Sequence, residues 1–137
     1  LDPDVVDRLI DINVRAAYFA SVEAGRQMHD NGRIIIIGSI NGDRVPWPGQ
    51  TAYALSKSAV QGIARGLARD FGKRGITVNV VQPGPVDTDM NPADGPFAKM
   101  MHAAMAIQRH ATADEVASLV MFLASPAAAM ITGTTQT

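Results

Sequence analysis

The 137-residue sequence contains no cysteine. A disulfide framework and any thiolate-bound metal centre are excluded, and the absence agrees with a reducing compartment. Charge of neither sign prevails: 12 basic residues stand against 13 acidic ones, a formal charge of −1. Such a balance gives no electrostatic reason to expect nucleic acid or an anionic membrane as partner. No apolar run approaches the ~20 residues of a membrane span, and the N-terminal residues lack the basic-then-apolar pattern of a secretory signal. Internal repeats and low-complexity stretches are also missing. These absences leave a soluble, cytoplasmic protein with one domain as the expectation.

What is present alternates between helical and strand signals. Asp2-Pro3-Asp4 reads as a cap with proline in the first turn, and Val5, Leu9, Ile12, Ala16 and Phe19 recur at helical spacing toward Met28. One long first helix is expected. "RIIIIG" (33–38) has the β-branched run of a strand buried on both faces in a parallel sheet. After a Gly- and Pro-rich loop (39–49), a helix is expected over 51–71, ended by Gly72. "ITVNVVQPG" (76–84) reads as a second buried strand, stopped by proline and glycine. A polar, turn-rich segment leads into the Met-rich helical stretch "FAKMMHAAMAI" (97–107). Thr112 then caps a last helix, and "ITGTTQT" reads as the opening of another strand. The rhythm is that of βαβ crossovers, so the expected class is α/β, a doubly wound parallel sheet with flanking helices. Two or three strands would leave such a sheet poorly covered, and the chain is expected to be the C-terminal portion of a larger α/β domain.

Tyr53 and Lys57 lie four residues apart on the 51–71 helix, hence on one face. A phenol is a poor base near neutrality, with a free pKa of about 10; an ammonium held beside it favours phenolate and makes it useful as acid or base. Ser39 sits at the carboxyl end of the first strand, where open α/β sheets place their ligands. Pro83 and Gly84 end the second strand at that same edge. Asn13 is an amide between Ile12 and Val14, and if buried it must find partners or cost about 1 to 3 kcal/mol. A local cap or kink accounts for it equally well. His29, His102 and His110 show no mutual spacing that indicates a metal site, and no metal is expected. Asp43, Arg44 and Trp47 lie on the loop after Ser39, where they either line a substrate entrance or are ordinary loop residues.

Asn13 in "INVRAAY", Ser39 in "IIIIGSINGD", "YALSK" from Tyr53 to Lys57, "GITVNVVQPGPVDT" and the closing "ITG" occur in that order. Together they resemble the short-chain dehydrogenase/reductase family over essentially the whole chain. The resemblance implies a Rossmann-type domain binding NADP or NAD, with NADP placed first; the glycine-rich phosphate loop and the position that discriminates the two cofactors lie outside this sequence. It implies Tyr53 as the acid/base for a carbonyl or alcohol oxygen, and Lys57 lowering the phenol pKa and holding the ribose hydroxyls. Ser39 would polarise the substrate oxygen, and Asn13 would position a water in a proton relay to Lys57. Pro83, Gly84, Val86 and Thr88 match the segment that lies along the nicotinamide. The segment 87–107 would form a lid, with Met100, Met101 or Met105 against substrate. Pairing of the first helix and the "YALSK" helix with their copies would give a homodimer or homotetramer. More narrowly, "GSINGDR", "GLARDFGKRGITVNVVQPGPVDTDMNPADGP" and "IQRHATADEVA" are similar to bacterial members of the family that bind cyclic-di-GMP and mediate biofilm dispersal. An NAD(P)-dependent oxidoreductase and a cyclic-di-GMP-binding regulator on the same scaffold are therefore the two expectations. The intact Asn13, Ser39, Tyr53, Lys57 set favours the enzyme.

Overall fold

Asp2 starts the first helix. Its carboxylate accepts the Asp4 N–H at 3.0 Å, and Pro3 fills the first turn, where its missing N–H costs nothing. The computed structural model describes residues 2–137. Helix α1 (Pro3–Ile10) passes through a π-helical turn (Asp11–Arg15) into α2 (Ala16–Gln27), so the expected single α-helix is interrupted. In the turn the Ala16 N–H donates to the Asp11 carbonyl, five residues back. The expected apolar stripe also faces the wrong way for a core: Val5, Ile12 and Phe19 are 53%, 60% and 58% exposed. Smaller side chains take the inner face, namely Ala17, Ser21, Val22 and Gly25. Gly25 has to be glycine, because a Cβ there would overlap the Phe71 ring.

Strands β1 (Arg33–Ile37), β2 (Thr77–Val81) and β3 (Thr135–Gln136) form one parallel sheet in the order β1-β2-β3. Its register pairs Arg33 with Thr77, Ile37 with Val81, and Val80 with Thr135. Alternation sends Ile34 and Ile36, with Val78 and Val80, toward α2 and α3 (Thr51–Phe71), where Val60, Ala64 and Leu67 meet them. Ile35 and Val81 point to the opposite face, covered by α5 (Ala113–Ala124) through Val116, Leu119, Val120 and Leu123. Helices on both faces of a parallel sheet make this a doubly wound α/β fold, as the sequence reading expects. Only β2 is buried at every residue. β1 departs from its expected burial, with Ile35 half-buried and Ile37 exposed, and it lies at one edge of the sheet formed by this chain.

Helix α3 ends at its C-cap Gly72 as expected, but Gly72 stays right-handed and begins a 3-10 turn (Gly72–Arg74). Gly75, with φ 68°, supplies the left-handed exit. The Met-rich stretch is helical only as α4 (Ala98–Ala103), since the Ala104 N–H closes the last turn onto the Met101 carbonyl. Helix α5 opens on a full capping box. Thr112 Oγ1 accepts the Glu115 N–H at 3.2 Å, and the Glu115 carboxylate accepts the Thr112 N–H at 2.8 Å. Glu115 also pairs with Arg109 at 2.5 Å, and together these bonds hold its carboxyl at about 2, well below the usual range. Buried Asn79 fastens the "ITGT" loop to β2. Its Nδ2 donates to the Ile131 carbonyl at 2.7 Å, and its Oδ1 accepts the Thr134 hydroxyl at 2.9 Å. Among the described residues no helix is long and apolar enough to cross a membrane.

Candidate active site

The parallel ladder continues past the ends of β1 and β2. Gly38 N–H donates to the Val81 carbonyl at 2.7 Å and Ile40 N–H to the Pro83 carbonyl at 3.1 Å, which fixes Ser39 opposite the Gln82-Pro83-Gly84 exit. Ser39 caps a short 3-10 turn (Ile40–Gly42) by accepting the Asn41 N–H at 3.2 Å. Its own O–H proton remains to be donated to a bound oxygen. Tyr53 stands in the first turn of α3 and Lys57 one turn further on, with Lys57 Nζ 5.7 Å from the centre of the Tyr53 ring. The ammonium reaches back across the sheet edge and donates to the Ile37 carbonyl at 3.3 Å. Burial lowers the Lys57 pKa below its usual 10.5.

The Asn13 side chain is tied to the start of α3. Its Nδ2 donates to Ser56 Oγ at 3.0 Å, and Ser56 donates to the Tyr53 carbonyl at 2.7 Å. The amide therefore braces the helix start through Ser56, the residue next to Lys57. Sequence reasoning passed over Ser56, although it lies inside the quoted "YALSK".

A cavity of about 490 Å³ opens over this edge. Ser39, Tyr53 and Gly84 line it, together with Trp47, Met101 and Met105. Asn13, Lys57, Pro83, Val86 and Thr88 stand outside the lining. Val86 bridges Ala111, and Thr88 pairs with Asn91 in a tight turn (Asn91 N–H to Thr88 carbonyl, 2.9 Å). Arg44 joins Trp47 at the cavity, but Asp43 turns away. Its two carboxylate oxygens accept from Gln61 Nε2 and Gln82 Nε2, both at 2.8 Å. Buried Gln82 also accepts from Gln61 at 2.9 Å, so one polar network ties the Ser39 loop to α3 and to the end of β2. A glutamine closing an apolar strand was its only sequence signal.

Two of the histidines, distant in sequence spacing, meet in the fold. Folding brings His102 Nε2 to 2.7 Å from His110 Nδ1, although eight residues separate them. Helix α4 is thereby joined to the segment that bridges Val86. No group of three or more metal-binding side chains occurs among the described residues.

A parallel sheet with helices on both faces and a Ser-Tyr-Lys set at its carboxyl edge is a Rossmann-type α/β architecture with its candidate site where such folds bind ligands. A family model described as "Enoyl-(Acyl carrier protein) reductase" matches residues 1–137, and the chain belongs to the short-chain dehydrogenase/reductase family. It is 62% identical over 137 residues to the cyclic-di-GMP-binding biofilm dispersal mediator protein of Escherichia coli K12, covering all of this chain and 58% of that protein. The solved structure of BdcA in complex with NADPH superposes with a TM-score of 0.97 at 62% identity, covering 99% of this chain and 56% of that one. A short-chain dehydrogenase from Burkholderia cenocepacia J2315 in complex with NADP gives 0.97 at 48% identity, covering 99% and 56%. The chain thus spans a little over half the length of these relatives.

Proposed function

We propose that the protein is an NAD(P)-dependent oxidoreductase that interconverts a carbonyl and an alcohol, and that this chain is the C-terminal portion of its Rossmann domain. The carrying observation is the convergence of Ser39, Tyr53 and Lys57 on one edge of the sheet, where Ser39 and Tyr53 line the cavity and Lys57 stands one helical turn behind Tyr53. The residues present fit the nicotinamide end of the cofactor. Lys57 uses one of its three N–H donors on Ile37, which leaves two for ribose hydroxyls. At the other wall Gly84 leaves open space where a Cβ would stand. NADPH and NADP in the structures of relatives place NADP ahead of NAD.

When bound, the reduced cofactor supplies a hydride equivalent to the carbonyl carbon. The chain's own residues do the rest. Ser39 donates a hydrogen bond to the carbonyl oxygen, Tyr53 gives that oxygen its phenolic proton, and Lys57 keeps positive charge beside the phenolate left behind. Alcohol and oxidised cofactor result, and the reverse sequence oxidises an alcohol. Pro83, Val86 and Thr88 would help hold the nicotinamide end of the cofactor, and Asn13 acts through Ser56. In the full-length protein, Tyr53→Phe should lower kcat by roughly 10² to 10⁴-fold, the usual share of general acid catalysis. Cofactor affinity should stay within about twofold. Retained NADPH oxidation in that variant would sink the assignment.

A second reading has one observation behind it, the 62% identity to a protein named for cyclic-di-GMP binding. Saturable cyclic-di-GMP binding with no cofactor oxidation across a carbonyl panel would favour it. We place the protein in the cytoplasm, to be checked by cell fractionation. A homodimer or homotetramer is proposed from the outward-facing Val5, Ile12, Phe19 and Leu55, which leave an apolar surface along α1, α2 and α3.

A further inference from the structure

Among the described residues the cavity is lined by one cation and no anion. Arg44 lines it, and no carboxylate does. The residue best placed to neutralise Arg44 is its neighbour Asp43, but that carboxylate is committed to Gln61 and Gln82. Among the described residues the ion pairs and side-chain hydrogen bonds leave the Arg44 guanidinium without a partner. Its backbone is nevertheless fixed, because the Arg44 N–H donates to the Ile40 carbonyl at 3.0 Å. The 3-10 turn that begins at Ser39 therefore also sets where Arg44 starts. Between these two points the wall is mostly apolar, with Ile40, Pro46, Trp47 and Pro85 among its residues. Arg44 is itself exposed where it lines the cavity, so a charge-assisted contact to it is made beside water and is open to screening by salt. A guanidinium receives a carboxylate or phosphate through two parallel N–H bonds.

We propose that the substrate is a carbonyl compound with an apolar body and an anionic oxygen group, carboxylate or phosphate, and that Arg44 binds that group while Ser39 and Tyr53 hold the carbonyl. The proposal rests on the oxidoreductase reading for the carbonyl end, and on Arg44 alone for the anionic end. A cavity of about 490 Å³ suits a single ring or short branched chain carrying both groups. The reaction balances as before: the carbonyl carbon gains the hydride, the oxygen gains the Tyr53 proton, and the anionic group is unchanged.

The test uses the full-length, NADPH-loaded protein and three aldehydes: para-carboxybenzaldehyde, para-formylphenyl phosphate and the neutral methyl para-formylbenzoate. The readout is the ratio of kcat/KM for each anion to that for the ester. We expect at least one ratio to reach about tenfold, in line with a hydrogen bond to a charged group. It should collapse toward one in Arg44→Gln, stay intermediate in Arg44→Lys, and shrink with added salt. Ratios near one in the wild type, or ratios unmoved by Arg44→Gln in a variant with native circular dichroism, would overturn the proposal. Calorimetric binding of terephthalate separates the two readings. Binding lost in Arg44→Gln, with no aldehyde reduced, would uphold the anion site and remove the oxidoreductase reading.

Discussion

The Asn13 amide donates to Ser56 Oγ at 3.0 Å, and the same hydroxyl donates to the Tyr53 carbonyl at 2.7 Å. A π-helical turn is thus wired to the first turn of α3 through a fully buried serine. Ser56→Ala and Asn13→Ala should each destabilise the fold by about 1 to 3 kcal/mol, the cost of stranding a buried polar partner. A double-mutant cycle read by urea unfolding should show coupling of at least about 0.5 kcal/mol. Additive effects would mean that the two residues act separately.

The acidic limb of stability is expected to carry the signature of Glu115. Its hydrogen bond from Arg109, and then that from the Thr112 backbone, lower its pKa from 4.5 to about 2. A depressed carboxyl contributes stability that is complete above the unfolded pKa and is lost as pH falls through the folded one. The gap in Tm between wild type and Glu115→Gln should therefore be constant above about pH 5, close between 4.5 and about 2, and vanish below. A gap that persists unchanged at the acid end would show that the capping contacts do not depend on the charge.

The 87–107 segment hangs on few bonds, and the pairing of His102 with His110 is the one that reaches from α4 to the strand exit. In the lid reading, hydrogen exchange over 98–103 should be faster than over 77–81 and should slow when cofactor is added. His102→Ala should quicken exchange in α4 severalfold without altering β2. Equal protection of α4 and β2 in the free protein, unchanged by ligand, would make the segment part of the static core.

The outward stripe gives the assembly prediction. A Cβ at Gly62 would stand in open space, so a side chain starts there without a clash within this chain. If α3 packs against a copy, Gly62→Arg should shift the species in light scattering toward monomer at micromolar concentration and leave far-ultraviolet circular dichroism unchanged. An unaltered assembly would place the interface elsewhere.

Much of this fold was legible because period and chemistry coincide. β-branched runs marked β1 and β2, and Thr112 marked the start of α5 as its cap. The Tyr53 and Lys57 pair was legible because a helix turns spacing four into a shared face. Other features arise only when distant segments meet. His102 and His110 look unrelated until the chain doubles back, and Asp43 reads as a loop charge until Gln61 and Gln82 arrive beside it. The first helix misled for another reason. Apolar periodicity identifies a face but not what covers it, and here the core took alanine, serine and glycine while the large side chains turned outward.

The π-helical turn also makes chain length a phase setting. Loss of Val14, between Asn13 and Arg15, would restore an unbroken α-helix and remove about 100° of arc. Ser21 and Gly25 are pinned in the core, the latter by Phe71, so α1 would have to swivel instead. Val5 and Ile10 would take new bearings, and Asn13 would no longer point at Ser56. Circular dichroism would scarcely register such a deletion, whereas the Asn13 side-chain amide signal in NMR would move. In this helix the count of residues, more than their identity, aims the amide.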